Sequence, residues 1–241
     1  MSLYLDLMDR IIRDQVYPTV ATPVDQMPIR AYTALSKDSL RNVRDCCDKA
    51  ITEGVPGAFV ECGVWRGGAI AMMAAVTKWH SEEVKDFGGT NQQRRLVFGC
   101  DSFEGLPPPS TPQDAGLNLF IYQALSVSEE QVHRNLVSLG LNGYVQTLKG
   151  WFKDTLPQLA QNLKDLGLPI AVLRADGDLY ESTRNIMDNL YPLLSPSGFF
   201  IEDDYFNIPQ ARMAVDDYRK EHRIYTEILR ADNYTGFWRK E

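Results

Sequence analysis

The chain has 241 residues and a formal net charge of −7, because 25 lysines and arginines stand against 32 aspartates and glutamates. This length fits one large domain or two small ones. With 44% hydrophobic and 24% charged residues, the composition is that of a globular protein and argues against a disordered one. The acidic balance disfavours nucleic acid and anionic membrane surfaces as partners.

Two further features concern the cellular compartment. The N-terminal segment carries charges every few residues and lacks the apolar core of a signal peptide, and no run approaches the ~18 apolar residues of a membrane span. The cysteines form no C-x-x-C pair and have no histidine close in sequence to complete a zinc motif; they are Cys46, Cys47, Cys62 and Cys100. We therefore predict a cytoplasmic protein with buried, reduced thiols.

The predicted elements begin with two helices. Leu5, Met8 and Ile12 form an apolar stripe at helical spacing, and a second helical stretch runs from about residue 38 to residue 52. Short apolar runs then alternate with helices, which is typical of a mostly parallel sheet covered on both faces. The apolar runs are residues 58–62, 96–100, 144–148, 170–175 and 198–201, and the helical patterns lie near residues 67–79, 127–139, 152–164, 181–194 and 208–221.

The C-terminal part and one internal segment depart from this alternation. Residues 224–229 and 234–238 read as strands, and the connection between them is too short for a parallel crossover. The last strand is therefore predicted to be antiparallel. Residues 104–126 are rich in proline and show little periodicity, so we predict a long loop, and such loops are commonly lids or binding loops.

A glycine-rich turn follows the first predicted strand in the sequence VECGVWRGG at residues 60–68. Glycines at such a turn let a ligand approach the backbone, and the helix that follows offers free N–H groups. A dinucleotide fingerprint would need a second glycine where Trp65 stands, so a nicotinamide dinucleotide is disfavoured. Taken alone the motif is weak, because glycine turns between strand and helix are common.

The second and third strand ends carry residues suited to a nucleoside. Asp101 lies at the tip of the second strand, where an acid can bind a ribose diol or simply cap the following turn. Together with the glycine turn it favours a nucleoside-containing ligand at the carboxyl edge of the sheet. After the third strand, Trp151 or Phe152 could stack on a base or belong to the core.

Acids follow the next two strands. Asp176 and Asp178 come just after the fourth strand, and Asp203 and Asp204 just after the fifth. Neighbouring parallel strands bring both ends to one crevice, where carboxylates repel one another unless a cation or protons intervene. Oxygen ligands of this kind suit Mg²⁺. The alternative is that the first pair caps a helix and that the second pair is solvated.

An Asp-Gly-Asp sequence after a strand also occurs in phosphohydrolases of the haloacid-dehalogenase type. Those enzymes need a lysine between that motif and a later acidic pair, and residues 179–201 contain none. This interpretation is therefore disfavoured.

Taken in order, the motifs resemble those of the macrocin O-methyltransferase (TylF/MycF/NovP-type) family over nearly the whole chain. The matching stretches are GVPG at 54–57, VECGVWRGG at 60–68, DSFEGLP at 101–107, KGWFKDTLP at 149–157, RADGDLYEST at 174–183 and EDDY at 202–205. One departure is Ala69, where the family commonly has serine, which could remove one hydroxyl contact to the cofactor.

The resemblance implies an α/β class I methyltransferase fold with a seven-stranded Rossmann-like sheet, a reversed last strand and helices on both faces. The chain would be a single methyltransferase domain, with residues 1–53 as a helical N-terminal extension or lid and residues 54–241 as the core. The proline-rich loop would complete the lid. Family members are often dimers or higher homo-oligomers, so a homo-oligomer is expected.

The resemblance also implies cofactors and roles for individual residues. The cofactors are S-adenosylmethionine and Mg²⁺. Asp178 would be the general base, and Asp176, Asp203 and Asp204 would hold the metal. The expected S-adenosylmethionine contacts are Glu61, Gly63 and Gly67 at the methionine part, Asp101 at the ribose, Ser102 and Phe103 beside the adenosine, and Gly150 and Trp151 at the adenine.

The predicted function is O-methylation of a small-molecule acceptor, at a hydroxyl of a natural-product sugar or a similar vicinal diol. An alternative keeps the chemistry but uses a polyketide, peptide or catechol-like hydroxyl. A second alternative is a protein that binds S-adenosylmethionine without turnover. The four acids at residues 176, 178, 203 and 204 argue against it, because binding S-adenosylmethionine needs no such cluster.

Overall fold

A computed structural model of the chain describes residues 3–16, 30–86 and 95–241. The helices are α1 (Leu3–Ile12), α2 (Lys37–Thr52), α3 (Gly68–Asp86), α4 (Glu129–Ser138), α5 (Phe152–Asp165), α6 (Tyr180–Leu190) and α7 (Pro209–Glu221). The strands are β1 (Ala58–Cys62), β2 (Val97–Asp101), β3 (Val145–Lys149), β4 (Ile170–Ala175), β5 (Leu194–Glu202), β6 (Leu229–Arg230) and β7 (Gly236–Arg239). Within the described residues, no helix is long and apolar enough to cross a membrane.

The strands form one seven-stranded sheet in the order β3-β2-β1-β4-β5-β7-β6. Strands β1 to β5 pair in parallel, and β7 runs antiparallel to β5. The predicted α/β class and the reversed last strand are therefore confirmed. Every residue of β1 and of β4 is buried, because these central strands are covered on both faces, and this explains their unbroken apolar sequence.

Two hydrophobic cores lie on opposite faces of the sheet. Successive side chains of a strand point to opposite faces, so Phe59 packs in the core that holds α1, α2 and α3, while Val60 packs in the core that holds α5, α6 and α7. The predicted apolar stripe of α1 is buried in the first core. All four cysteines are buried and free, as predicted. Residues 1, 2 and 17–29 of the predicted N-terminal extension lie outside the described residues.

Two predicted strands begin more than two residues away from their predicted first residue. Strand β5 begins at Leu194 and not at residue 198, because Leu194 already pairs with Ile170. The register then shifts to Val172 and Phe199 across an irregularity that includes Ser197, whose φ is 64°. The tail strand predicted over residues 224–229 is reduced to β6. Ile224 and Ile228 pack against the second core, so the apolar alternation reflects burial and not a strand. The ladder with β7 joins only Leu229 and Arg230 to a partner, however.

Candidate active site

A cavity of about 680 Å³ lies at the carboxyl ends of the parallel strands. Its walls include the segment before α2, the β1–α3 turn, the end of β2 and the loop that follows it. They also include the start of α5, the ends of β4 and β5, the first turns of α6 and the connection between β6 and β7. The predicted proline-rich loop therefore does line the cavity, through Leu106, Pro107, Pro108, Ser110 and Leu125. Residues 32–36, which belong to the predicted extension, also line it.

The β1–α3 turn brings two strand ends into close contact. Gly63 has a φ of +92°, and a Cβ atom there would lie 2.1 Å from the backbone oxygen of Asp176. Only glycine accommodates both the left-handed backbone and this approach. Gly63 therefore allows the predicted cofactor turn to lie directly against the backbone that carries the acids after β4.

Asp101, at the end of β2, organises the same turn. Its Oδ2 accepts a hydrogen bond from the Val64 N–H at 2.6 Å, and its Oδ1 accepts one from the Phe103 N–H at 2.7 Å. Burial raises the pKa of Asp101, and these backbone donors oppose the rise. In this structure Asp101 therefore caps the following turn, as one of the two interpretations of the sequence expects. Ribose binding by Asp101 stays a prediction.

The predicted cofactor residues divide into two groups. Five line the cavity, namely Glu61, Gly63, Asp101, Ser102 and Trp151. Three are not among the lining residues, namely Gly67, Phe103 and Gly150. Phe103 is the clearest departure from expectation, because its side chain is buried in the first core and only its N–H reaches the site, through Asp101. Phe152 lines the cavity beside Trp151 and also packs against the second core.

Three of the four predicted acids come together at the ends of β4 and β5. Asp176, Asp178 and Asp204 each offer a carboxylate oxygen, and these atoms lie within 4.8 Å of one another. The Nδ2 of Asn207 donates to Asp204 Oδ1 at 2.8 Å and so orients that carboxylate. Asp178 has a φ of 56°, a strained conformation of the kind that clusters at active sites.

Asp203, the fourth acid, is engaged by Arg174, a residue to which the sequence assigned no role. Arg174 is 2% exposed. Its Nη2 lies 2.8 Å from Asp203 Oδ1 and 3.0 Å from Asp176 Oδ2, and its Nη1 donates to Glu61 Oε1 at 2.8 Å. The available signal was a charged residue inside the apolar run of β4, because a buried charge must be paired.

The acids are held in an environment that favours their protonated forms. Burial raises the pKa of Asp178 to about 7, and the charge of Asp176 adds to the rise. Burial raises the pKa of Asp176 and of Asp204 well above the usual range, with neighbouring carboxylates contributing. Burial also raises the pKa of Glu61 to about 8, against the opposing charge of Arg174. A divalent cation at this cluster would therefore displace protons.

This sheet order, with a reversed β7, a glycine turn after β1 and an acid at the end of β2, defines a class I methyltransferase. A family profile described as Macrocin-O-methyltransferase (TylF) matches residues 15–240. The chain belongs to this family.

Relatives with similar sequences and structures agree with this assignment. The demethyldecarbamoylnovobiocin O-methyltransferase of Streptomyces niveus is 36% identical, over 99% of this chain and 94% of the relative. The 8-demethyl-8-(2,3-dimethoxy-alpha-L-rhamnosyl)-tetracenomycin-C 4'-O-methyltransferase of Streptomyces olivaceus is 38% identical, over 99% of this chain and 92% of the relative. The solved structure of the O-methyltransferase NovP matches with a TM-score of 0.86 at 36% identity, covering 99% of this chain and 98% of that one.

These comparisons confirm the predicted family, fold and activity. The chain is an S-adenosylmethionine-dependent O-methyltransferase. The roles of individual residues and the metal stay predictions.

Proposed function

We propose that this enzyme methylates a hydroxyl of a natural-product sugar or a similar vicinal diol, with a bound Mg²⁺ ion. One observation carries the proposal: the acids at the ends of β4 and β5 share a single cavity with the glycine turn and Asp101. A relative 38% identical to this chain is named for methylation of a rhamnosyl group. That name supports a sugar as the acceptor.

The acidic residues present fit a divalent cation. The carboxylate oxygens of Asp176, Asp178 and Asp204 lie close enough for one ion, and carboxylates are the ligands that Mg²⁺ takes in proteins. We propose the set that the family resemblance implies, Asp176, Asp203 and Asp204, with Asp178 free to act as the base. Mg²⁺ held there would lower the pKa of an acceptor hydroxyl and stabilise negative charge on its oxygen.

On this proposal, the residues around the glycine turn bind the cofactor. Gly63 lets it approach the backbone, Asp101 accepts from the ribose hydroxyls in place of some present donors, and Trp151 borders the adenine. When bound, S-adenosylmethionine supplies a methyl group on a positively charged sulfur. Glu61 and Asp101 line this end, and their carboxylates favour a cation electrostatically when they are ionised.

Asp178 acts as the general base. It would accept the proton of the acceptor hydroxyl and leave the electron pair of the O–H bond on the oxygen for the new bond to the methyl carbon, while the carbon–sulfur bond breaks and its electron pair stays on the neutral thioether product. A positioned base typically contributes about 10²- to 10⁴-fold to the rate. Burial raises the pKa of Asp178, and a divalent cation bound nearby would lower it again, so that the carboxylate is ionised and can accept a proton. The cavity walls would hold the acceptor oxygen in line with the methyl group, and this positioning itself contributes to the rate.

The charge of the cavity indicates which acceptors it takes. Among the described residues that line it, eight are acidic and two, Lys153 and Arg174, are basic. With Mg²⁺ bound and the protons displaced, the acids would still outnumber the positive charges, which disfavours an acceptor that carries a diphosphate. We therefore propose a neutral or amine-bearing glycoside and not a sugar nucleotide.

A methyl-transfer assay tests the proposal. The enzyme is incubated with S-adenosylmethionine labelled in the methyl group and with one of four acceptors. These are demethyldecarbamoylnovobiocin, a separate neutral rhamnoside, a thymidine diphosphate sugar and a simple catechol. Each acceptor is tested with Mg²⁺ and with a chelator. We expect label on the neutral glycosides only, and only with the divalent ion. If only the catechol is labelled, the proposed acceptor is a non-sugar diol and not a sugar. If turnover persists in the chelator, the proposed role of Mg²⁺ is wrong.

A further inference from the structure

A residue of the proline-rich loop caps the helix that follows the proposed catalytic base. Asp114 is 0% exposed, and its carboxylate accepts hydrogen bonds from the backbone N–H of Tyr180 at 2.6 Å and of Glu181 at 3.1 Å. The Thr111 hydroxyl donates to the same carboxylate at 2.7 Å. These two amides are the first two of α6, so the side chain occupies the helix N-terminus.

Helix α6 has no side-chain cap of its own. The residue at its N-cap position is Leu179, which cannot accept a hydrogen bond through its side chain. The first N–H groups of a helix lack partners within the helix and are commonly satisfied by a side chain just before it. Here the capping side chain comes from 66 positions upstream of Tyr180.

The capped helix begins two residues after Asp178. Between them, the Leu179 N–H donates to the Gly177 oxygen at 2.6 Å and closes a tight turn around Asp178, whose φ is 56°. A left-handed aspartate persists only where its surroundings fix it. The Asp114 carboxylate fixes the backbone on the C-terminal side of this turn.

The loop that carries Asp114 is fastened at further points around the cavity. The Ser110 hydroxyl donates to the Glu181 carboxylate beside the same helix end. At the other end of the loop, the Trp65 indole N–H donates to the Ala124 oxygen at 2.9 Å. Trp65 belongs to the glycine turn, so the loop spans the cavity from the cofactor side to the α6 side.

We propose that Asp114 is a positioning residue for methyl transfer: by capping α6 it holds the Asp178 turn and the cavity-lining loop in one fixed arrangement. This inference rests on the proposed function of Asp178. Loss of the cap would leave cofactor binding largely intact, because the glycine turn and Asp101 are built from other elements. It would displace the base relative to the acceptor, and a misplacement of this kind can cost up to about 10²-fold in rate.

The test compares Asp114→Ala and Asp114→Asn with Ser128→Ala in the full-length enzyme. Ser128 caps α4 through its hydroxyl and does not line the cavity, so its removal is a matched loss of a helix cap. The readouts are kcat and acceptor KM with demethyldecarbamoylnovobiocin or a neutral rhamnoside, the Kd for S-adenosylhomocysteine, and hydrogen exchange of the Tyr180 and Glu181 amides.

For Asp114→Ala we expect kcat to fall about 10- to 100-fold, with an unchanged Kd for S-adenosylhomocysteine and faster exchange of both amides. Asp114→Asn keeps one acceptor oxygen and should recover part of the rate, while Ser128→Ala keeps all of it. Equal kcat in all three variants, or unchanged exchange at the two amides in Asp114→Ala, would overturn the proposal. If the wild type methylates neither acceptor, the proposed function fails and the exchange data alone decide whether Asp114 holds the turn.

Discussion

Arg174 donates to Glu61 across two neighbouring strands, with Nη1 2.8 Å from Oε1 and both side chains almost completely buried. The two residues are register partners in the β1–β4 ladder. The same guanidinium contacts Asp176 and Asp203 through Nη2. One cation thus joins the acid on the cofactor side of the cavity to the acids proposed for the metal, and its rigid, planar group can serve several carboxylates at once.

Replacement of Arg174 by methionine should strongly destabilise the fold. The change leaves buried carboxylates without their cation, and breaking a buried ion pair by removal of one partner typically costs about 3–5 kcal/mol. Urea denaturation at about pH 9, where Glu61 is ionised despite its raised pKa of about 8, measures the free energy of unfolding. Arg41→Met is the matched control, because Arg41 lies 3.7 Å from Asp38 with both side chains exposed, and an exposed pair contributes at most about 1 kcal/mol.

The double variant Arg174→Met/Glu61→Gln identifies the cause of that loss. Removal of the Glu61 charge should restore part of the stability, because one of the unpaired carboxylates is then neutral. If the losses in free energy of unfolding of the two single variants simply add in the double variant, packing and not charge explains the effect of Arg174.

The stability of the metal-free enzyme should fall as the pH rises. The pKa of Glu61 is raised from 4.5 to about 8 and that of Asp178 from 3.8 to about 7, with burial as the main cause in both. Between its ordinary and its raised pKa, each carboxyl keeps a proton in the folded state that the unfolded state has lost, so the free energy of unfolding decreases with pH. The stabilisation is complete below the ordinary pKa and is lost on passing the raised one.

Denaturation in a chelator from about pH 5 to about pH 9 measures this slope. Glu61→Gln and Asp178→Asn should each make the slope shallower, because each removes one of the groups responsible. Mg²⁺ should counter the loss at the alkaline end, since it binds the ionised carboxylates. Stability that rises with pH over this range would contradict the expected sign.

The sequence predicted the central sheet well because burial on both faces leaves a simple pattern. The run at 58–62 became β1 without change, and the run at 170–175 became β4. Arg174 is missed because it lies inside the run at 170–175, which reads as uniformly apolar. Its partner Glu61 is 113 positions away in the chain and is found only once the register of β1 against β4 is known.

For the candidate site, the sequence predicted which strand end each residue follows. It did not predict which side chains contact one another there. The rule that neighbouring parallel strands end at one edge was enough to bring Asp176 and Asp204 together. It could not show that Asp203 is held by Arg174, or that Phe103 lies in the core. Both depend on which way a side chain points just after a strand, and backbone angles such as the φ of 54° at Phe103 decide that.

Asparagine variants of two acids distinguish the base from a metal ligand. Asp178→Asn should keep the affinity for Mn²⁺, used as a paramagnetic substitute for Mg²⁺, and should lose about 10²- to 10⁴-fold in kcat. Asp203→Asn should weaken Mn²⁺ binding and turnover together. Electron paramagnetic resonance of free Mn²⁺ measures the affinity without any need for an acceptor.

The reverse pattern, with weak Mn²⁺ binding in Asp178→Asn and normal binding in Asp203→Asn, would make Asp178 the ligand. That outcome would follow the grouping of the carboxylate oxygens, in which Asp178 lies with Asp176 and Asp204. Asp165→Asn is a suitable control at the end of α5, because Asp165 does not line the cavity and should affect neither quantity.

Gly63→Ala should abolish S-adenosylmethionine binding and destabilise the protein more than Gly116→Ala. Both glycines have a φ near +90°, so both substitutions strain the backbone by about 1–2 kcal/mol. A Cβ at Gly63 would also lie 2.1 Å from the Asp176 oxygen, whereas one at Gly116 meets nothing within 4 Å. Calorimetric titration with S-adenosylhomocysteine and urea denaturation separate the two effects. Equal stability losses in both variants would show that the β1 and β4 ends can move apart, and that their close approach is not needed for the fold.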